Sequence, residues 1–195
     1  MDTMPAPAEN APAALSERNV IDHYKAWETE QIVADLETRR TPLVNVCVNL
    51  TSDFNKGAII RANNAFTGAR VIITERRRYN KRGTVGTHHY EHVDYAPDTL
   101  TVIADLIADG YTVMPVDNTP EFAPVAITQV TFPARTALVY GEEQAGLSRA
   151  VVAACNHPPV YIAQHGSVRS LNVGQAAAVA MAMYEMQHPR DALFA

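Results

Sequence analysis

Short apolar runs that alternate with stretches of helical periodicity are the feature that most constrains the fold of this chain. We interpret the runs as strands that are buried on both faces. Strands that alternate with helices predict an α/β fold, with a mostly parallel sheet flanked by helices. The predicted strands are residues 43–50, 69–74, 111–116, 136–140 and 159–163, and the predicted helices are residues 56–66, 98–108, 148–155 and 172–187.

The N-terminal region has a different composition from the rest of the chain. Residues 1–17 are rich in Ala and Pro and lack periodicity, so we expect a flexible tail. Residues 18–41 carry apolar side chains at near-helical spacing, which predicts an amphipathic helical extension that ends before Pro42. The main domain is then expected over residues 42–190.

No apolar run is long enough to span a bilayer. The N-terminus has Pro and acidic residues where a signal peptide has a basic start and an apolar centre. We therefore expect a cytoplasmic protein with no membrane contact. Cys47 and Cys155 are isolated thiols, a pattern that suggests neither a disulfide framework nor a zinc site.

A first polar motif, residues 55–66, follows a predicted strand and a loop with Asp53. On a helix Gly57 and Arg61 lie about one turn apart, so the glycine would let another molecule come close beside the guanidinium. Taken alone, the segment also fits an exposed arginine on an ordinary surface helix.

A second motif, residues 138–148, contains two glycines that bracket a turn at the carboxyl end of a predicted strand. Ligands bind to α/β sheets at such ends. The segment has neither the G-x-G-x-x-G pattern nor the lysine of a phosphate loop, so we do not expect nucleoside triphosphate binding. It also fits a strand-to-helix connection in which Ser148 is the helix N-cap, and we expect that too.

A third motif, residues 162–178, runs from a strand through a polar Gly/Ser turn into a helix rich in Ala, Val and Met. This composition predicts a buried helix, and its small residues would permit close contact with another helix, as at a subunit interface. A capped core helix remains an equally good interpretation of this segment alone.

In this order and at these spacings, the three segments resemble the three motifs of the SpoU/TrmH family of SPOUT RNA methyltransferases, over about residues 43–187. The resemblance implies a sheet with a C-terminal trefoil knot, S-adenosylmethionine bound at the knot, and a homodimer. It implies methyl transfer to a ribose 2′-hydroxyl of RNA, more in the manner of transfer-RNA enzymes than of ribosomal-RNA enzymes. Two positions depart from the family pattern, Ala163 where Pro is common and Gly174 where Ser is common.

The resemblance also implies roles for individual residues. Arg61 matches the proposed base, although a guanidinium has a pKa above about 12, so a substrate phosphate could instead orient it or relay the proton. The family needs no metal, so we expect none. The residues implied in catalysis are Arg61, Asn55, Ser170, Asn172 and Glu143, and those implied in cofactor binding are Gly141, Ile162, Leu171, Ser170 and Val116.

Charge is unevenly distributed along the chain. The net charge of −5 argues against a nucleic-acid binder, but residues 70–82 contain six basic residues against one glutamate. Residues 82–90 resemble the family's substrate-facing loop leading into a strand. The residues predicted to hold the RNA backbone are Arg76, Arg77, Arg78, Lys81 and Arg82.

Two other functions remain open from the sequence. The chain could be a non-catalytic RNA-binding protein that keeps the knotted fold, although Asn55, Arg61, Ser170 and Asn172 are all retained. It could also be an ordinary doubly wound nucleotide-binding enzyme. Binding of S-adenosylhomocysteine rather than NAD would argue against the second of these.

Overall fold

Seven strands and five α-helices alternate along residues 18–76 and 79–191, the part of the chain that this computed structural model describes. The strands are β1 Thr41–Val48, β2 Gly68–Thr74, β3 Val93–Ala96, β4 Thr112–Val116, β5 Val125–Ala126, β6 Thr136–Tyr140 and β7 Val160–Tyr161. The helices are α1 Thr29–Glu37, α2 Asp53–Ala65, α3 Thr99–Ala108, α4 Arg149–Ala154 and α5 Val173–Gln187.

The strands form one sheet in the order β3-β2-β1-β6-β4-β7-β5, and neighbouring strands run parallel. The predicted parallel α/β fold is therefore confirmed, and β6 has the predicted bounds. Two strands were not predicted, β3 and β5. Both are short, and neither carries a buried apolar run, so they lack the pattern by which the other strands are recognised.

Helices cover both faces of the sheet because the buried strands alternate their side chains between two cores. In β1, Leu43 and Cys47 point into the core that also contains Ile59 of α2 and Met181 of α5. Val44, Val46 and Val48 point to the opposite face of the sheet and join the core beneath α3 and α4. The sequence analysis interpreted the apolar runs as strands that are buried on both faces, and β1 is packed on both faces in this way.

The N-terminal extension is less helical than predicted. Its second half is α1, but its first half contains only the 3₁₀ turn Asp22–Tyr24. The side chain of Gln31 accepts from the backbone N–H of Glu28 in a capping box, which starts the helix at Thr29. Tyr24, Ile32 and Leu36 pack with Tyr90, so the extension is attached through a small apolar core of its own.

The last strand, β7, lies between β4 and β5, which precede it in the chain. The chain therefore inserts its C-terminal part between earlier segments before continuing into α5, which packs against α2. The predicted trefoil knot is compatible with this insertion and stays a prediction. The expected tail, residues 1–17, lies outside the described residues. None of the described helices has the length and apolar character needed to cross a membrane.

Candidate active site

A cavity of about 510 Å³ lies at the carboxyl ends of β4, β6 and β7. It is the edge of the sheet at which parallel α/β proteins bind ligands. Residues of the second and third motifs line the cavity, and the first motif supports the residues that line it. All the residues predicted to bind a cofactor line this cavity, namely Val116, Gly141, Ile162, Ser170 and Leu171.

The loop after β6 forms one wall of the cavity and is tightly closed. The backbone N–H of Gly146 donates to the carbonyl oxygen of Glu142 at 2.9 Å. A Cβ atom on Gly141 would overlap the carbonyl carbon of Gly146, and Gly146 has a φ of 68°, in the left-handed region. Both glycines of the second motif are therefore required by the turn.

The carboxylate of Glu143, in the second motif, is bound to the start of α2. Its Oε2 accepts from the backbone N–H and the hydroxyl of Thr51 at 3.0 and 2.8 Å. Its Oε1 accepts from the backbone N–H of Ser52 and from Nδ2 of Asn55, each at 2.9 Å. Glu143 thus satisfies donors at a helix N-terminus, where a negative charge is favoured.

These hydrogen bonds determine the protonation state of Glu143. Burial by itself would raise the pKa of the carboxyl, but donation from Thr51, Asn55 and Ser52 outweighs it and lowers the pKa to about 2. The group is therefore an anion at neutral pH, with its lone pairs engaged by the protein. Such a carboxylate is suited to holding loops together and poorly suited to accepting a proton from a substrate.

Asn172, in the third motif, completes the connection among the motifs. Its Nδ2 donates to Oδ1 of Asn55 at 2.9 Å, while its Oδ1 accepts from the backbone N–H groups of Gly174 and Gln175 and caps α5. Glu143, Asn55 and Asn172 therefore form a continuous hydrogen-bonded chain. We call these three residues the motif bridge.

The other two residues predicted to be catalytic lie apart from the motif bridge. Arg61 is exposed on α2 and is not in the cavity lining, and its side chain has no hydrogen bond or ion pair within the described part of the chain. Ser170 is exposed and lines the cavity, and its hydroxyl has no partner among residues 18–76 and 79–191. The structure brings Asn55, Glu143 and Asn172 together but does not place Arg61 beside the cavity of its own chain.

Two of the cavity residues that the sequence analysis did not predict are Asp117 and Gln164. Asp117, directly after β4, accepts from the backbone N–H groups of Thr119 at 2.8 Å and Leu147 at 3.2 Å, and so ties the second motif to β4. Its position after a buried strand was the signal that could have found it. Gln164 also lines the cavity, and nothing in the sequence distinguishes it from other polar loop residues.

The predicted RNA-binding residues are described only in part, since Arg77 and Arg78 lie outside the described residues. Arg76 is exposed, and its Nε donates to Oδ1 of Asn49 at 2.8 Å. Lys81 and Arg82 are exposed on the 3₁₀ turn Lys81–Thr84, which packs on the start of α2. These three cations lie on loops near the same end of the sheet as the cavity.

The loop carrying Lys81 and Arg82 approaches α2 through two glycines. A Cβ atom on Gly57 would lie 2.5 Å from the carbonyl carbon of Gly83, so any larger residue at position 57 would push the loop away. The glycine of the first motif therefore admits a neighbouring segment of the same chain. The sequence analysis suggested that Gly57 lets another molecule come close, and the structure corrects that expectation.

Beyond this loop, the chain forms a second 3₁₀ turn, Thr87–His89, before β3. His88 and His89 lie on this turn, and their ring centroids are 4.1 Å apart. Within residues 18–76 and 79–191, no three His, Cys, Asp or Glu side chains group in a way that could hold a metal ion.

Comparison with known proteins gives one family. Residues 42–182 match the sequence profile of the SpoU rRNA Methylase family. No curated protein matches the chain.

Several solved structures share the fold. The A. aeolicus TrmH/SpoU tRNA modifying enzyme is 21% identical with a TM-score of 0.73, and the match covers 82% of each chain. The SpoU methyltransferase AviRb from Streptomyces viridochromogenes, in complex with AdoMet, is 24% identical with a TM-score of 0.67, covering 74% of this chain and 60% of that one.

A third structure concerns the 2-OH methylation of C/U34 on tRNA. It is 21% identical with a TM-score of 0.64, and the match covers 75% of this chain and 95% of that one. At these sequence identities, the similarity shows only that the fold is shared.

Proposed function

The chain belongs to the SpoU rRNA Methylase family, and from that premise we propose that it methylates a ribose 2′-hydroxyl of RNA, with transfer RNA rather than ribosomal RNA as substrate. The observation that carries the proposal is the motif bridge. Glu143, Asn55 and Asn172 come from three separate segments, yet they form one hydrogen-bonded chain beside the cavity.

SpoU methylases use S-adenosylmethionine, and the cavity fits that cofactor. Its volume of about 510 Å³ lies within the usual range for small-molecule sites. Val116, Ile162 and Leu171 supply apolar surface, and Gly141 contributes backbone to the lining without a side chain. When bound, the cofactor supplies a methyl group on a sulfonium, so the transfer needs alignment and exclusion of water more than charge stabilisation.

The motif bridge supports the site rather than performing chemistry. Both polar groups of the Asn55 side chain are engaged, one by Glu143 and one by Asn172. The carboxylate of Glu143 is likewise occupied. We therefore assign these three residues to positioning the loops of the second and third motifs, and leave contact with the ribose to Ser170 and Arg61.

Arg61 is the residue we assign to the 2′-hydroxyl. It would orient the substrate, either taking the proton itself or holding a substrate phosphate that does so. Because it is exposed and outside the cavity of its own chain, it can act only on a substrate that bridges to it or at the cavity of another protomer.

A homodimer would meet that requirement. Helix α5 has an apolar composition, but Val179 is 38% exposed and Met186 is 75% exposed. Side chains of this kind on a helix that borders α2 favour a self-association surface. We propose that α5 packs on its mate and that Arg61 faces the partner's cofactor.

The choice of transfer RNA rests on similar structures. The match to the structure concerned with C/U34 methylation on tRNA spans 95% of that chain, and the match to the TrmH/SpoU tRNA modifying enzyme spans 82% of that chain. Arg76, Lys81 and Arg82, with Arg77 and Arg78, are proposed to contact phosphates of the RNA backbone.

Two measurements test the proposal. Calorimetry with S-adenosylhomocysteine should show binding at micromolar to millimolar ligand, whereas no binding would contradict the cofactor assignment. Mass spectrometry of nucleosides from transfer and ribosomal RNA of a deletion strain should then show one missing 2′-O-methylated nucleoside, in the transfer RNA. Loss of a base-methylated nucleoside instead would overturn the ribose assignment.

A further inference from the structure

One buried polar atom in the cavity has no hydrogen-bond partner. Among the buried side-chain nitrogen and oxygen atoms of residues 18–76 and 79–191, Oε1 of Gln164 is the one without a partner. Buried acceptors are nearly always paired, and leaving one unpaired costs free energy. An unpaired buried acceptor that lines a ligand cavity therefore points to a donor on the ligand.

The surroundings of Gln164 indicate which part of a ligand lies there. Gln164 follows the end of β7, two residues after Ile162. Ile162 and the apolar lining residues Val116, Val160 and Leu171 suit a flat heterocycle. The polar lining residues Asp117, Asn118 and Thr119 suit hydroxyl and amino groups.

The acidic side chains in the lining, unlike Gln164, already accept hydrogen bonds from the protein. Asp117 accepts backbone donors from Thr119 and Leu147. Glu142 accepts from the backbone N–H of Ala145 at 3.0 Å. Their role in holding the loops distinguishes them from Gln164, whose oxygen holds nothing.

We propose that Oε1 of Gln164 accepts a hydrogen bond from the exocyclic amine of the adenine of S-adenosylmethionine, and so makes the site selective for adenine over purines that lack this amine. The inference rests on the proposed function, because it assumes that this cofactor occupies the cavity. It adds a side-chain hydrogen bond to the apolar contacts that Val116, Ile162 and Leu171 would make with the cofactor.

Two ligands and three variants test this contact by calorimetry. The ligands are S-adenosylhomocysteine and its analogue with hydrogen in place of the adenine amine. Gln164→Leu removes the acceptor, and Gln164→Glu keeps an acceptor while removing the amide donor. Gln129→Leu is the matched control, since Gln129 is exposed and does not line the cavity.

The parental protein should bind S-adenosylhomocysteine roughly ten-fold more tightly than the analogue, the scale of one buried hydrogen bond. Gln164→Leu should weaken binding of S-adenosylhomocysteine by a similar factor and bind the two ligands alike. Gln164→Glu and Gln129→Leu should keep the preference. Circular dichroism should confirm that each variant is folded. If Gln164→Leu is not folded, equal binding of the two ligands by the parental protein would by itself contradict the proposal.

The two proposals fail in different ways. If the parental protein binds neither ligand, the cofactor assignment is wrong. If the parental protein binds S-adenosylhomocysteine and Gln164→Leu binds it equally well with the same preference over the analogue, only the role of Gln164 is wrong. Loss of preference in Gln129→Leu would also overturn that role.

Discussion

The side-chain amide of Asn172 donates a hydrogen bond to the side-chain oxygen of Asn55 at 2.9 Å, although the two residues are 117 positions apart in the sequence. The same Asn172 caps α5, and the same Asn55 donates to Glu143. One contact therefore joins the start of α2 to the start of α5 and to the loop after β6.

Replacement of Asn172 should separate its two roles. Asn172→Ala removes the cap and the bond to Asn55, and should lower the free energy of unfolding by about 1 kcal/mol or more. Asn172→Asp keeps a capping acceptor but cannot donate to Asn55, so it should be the more stable of the two. Both should weaken binding of S-adenosylhomocysteine. Urea unfolding and calorimetry measure these effects, and unchanged affinity in Asn172→Asp would show that the bond to Asn55 does not support the cavity.

Glu143 should make stability depend on pH in the acidic range. Its pKa is lowered to about 2 in the folded protein from an ordinary value of 4.5, so the folded state binds a proton less readily than the unfolded state. The stabilisation is present above pH 4.5 and is lost as the pH falls towards 2. Glu143→Gln should lack this component. Urea unfolding from pH 7 downwards should show the parental protein and the variant converging in acid, and a difference independent of pH would contradict the assignment.

Arg61→Ala should leave cofactor affinity nearly intact and lower methyl transfer by roughly 100-fold or more, the scale of a lost proton-transfer group. The reason is that Arg61 is exposed and lies outside the cavity. Calorimetry and single-turnover methylation measure the two effects. Methylation at the parental rate would show that Arg61 has no part in the reaction.

Mixed dimers should reveal which protomer supplies Arg61. Co-expression of Arg61→Ala with Gly141→Val, which should disrupt the turn that forms one wall of the cavity, would restore about a quarter of the parental activity if the arginine acts at the partner's cavity. If Arg61 acts only within its own chain, no protomer in the mixture has both Arg61 and an intact cavity, so no activity is expected. Each variant alone is the control.

The basic residues should affect RNA binding rather than chemistry. Replacement of Arg76, Arg77 and Arg78 by Ala should weaken binding, and the slope of log affinity against log salt should fall by up to about 0.9 for each phosphate contact removed. Arg135→Ala is a control. Arg135 directly precedes β6, lies over the ring of Tyr111, and is not part of the basic segment 70–82. Filter binding over a salt series measures the slope. An unchanged slope in the triple variant would place the RNA elsewhere.

The exposed apolar side chains of α5 should hold the dimer together. Val179→Asp and Met186→Asp place a charge on that surface and should shift the protein towards the monomer, because a buried unpaired charge is costly. Leu100→Asp is a matched control for Val179→Asp, since Leu100 on α3 is 42% exposed and Val179 is 38% exposed. Light scattering at micromolar protein gives the mass. A parental protein that is already a monomer would contradict the proposed dimer.

Much of the fold could be predicted from the sequence because local pattern and tertiary environment agree in the central strands. β1, β2, β4 and β6 are buried on both faces, so each appears as a continuous apolar run. The residues that the family resemblance implied in cofactor binding line the cavity, and their role there stays a prediction. β3 and β5 could not, because their pairing at or near the sheet edge depends on neighbours and not on their own composition.

The sequence by itself determined the α/β class and the positions of the main helices and strands, because hydrophobic periodicity is a local property. The resemblance of its motifs to a known family pointed to five of the residues that line the cavity. Only the tertiary structure decided that Glu143, Asn55 and Asn172 bond to one another, that Arg61 stands outside its own cavity, and that Gln164 has an unpaired oxygen. A hydrogen bond depends on distances of a few tenths of an ångström between groups that the fold brings together, and no local pattern encodes such distances.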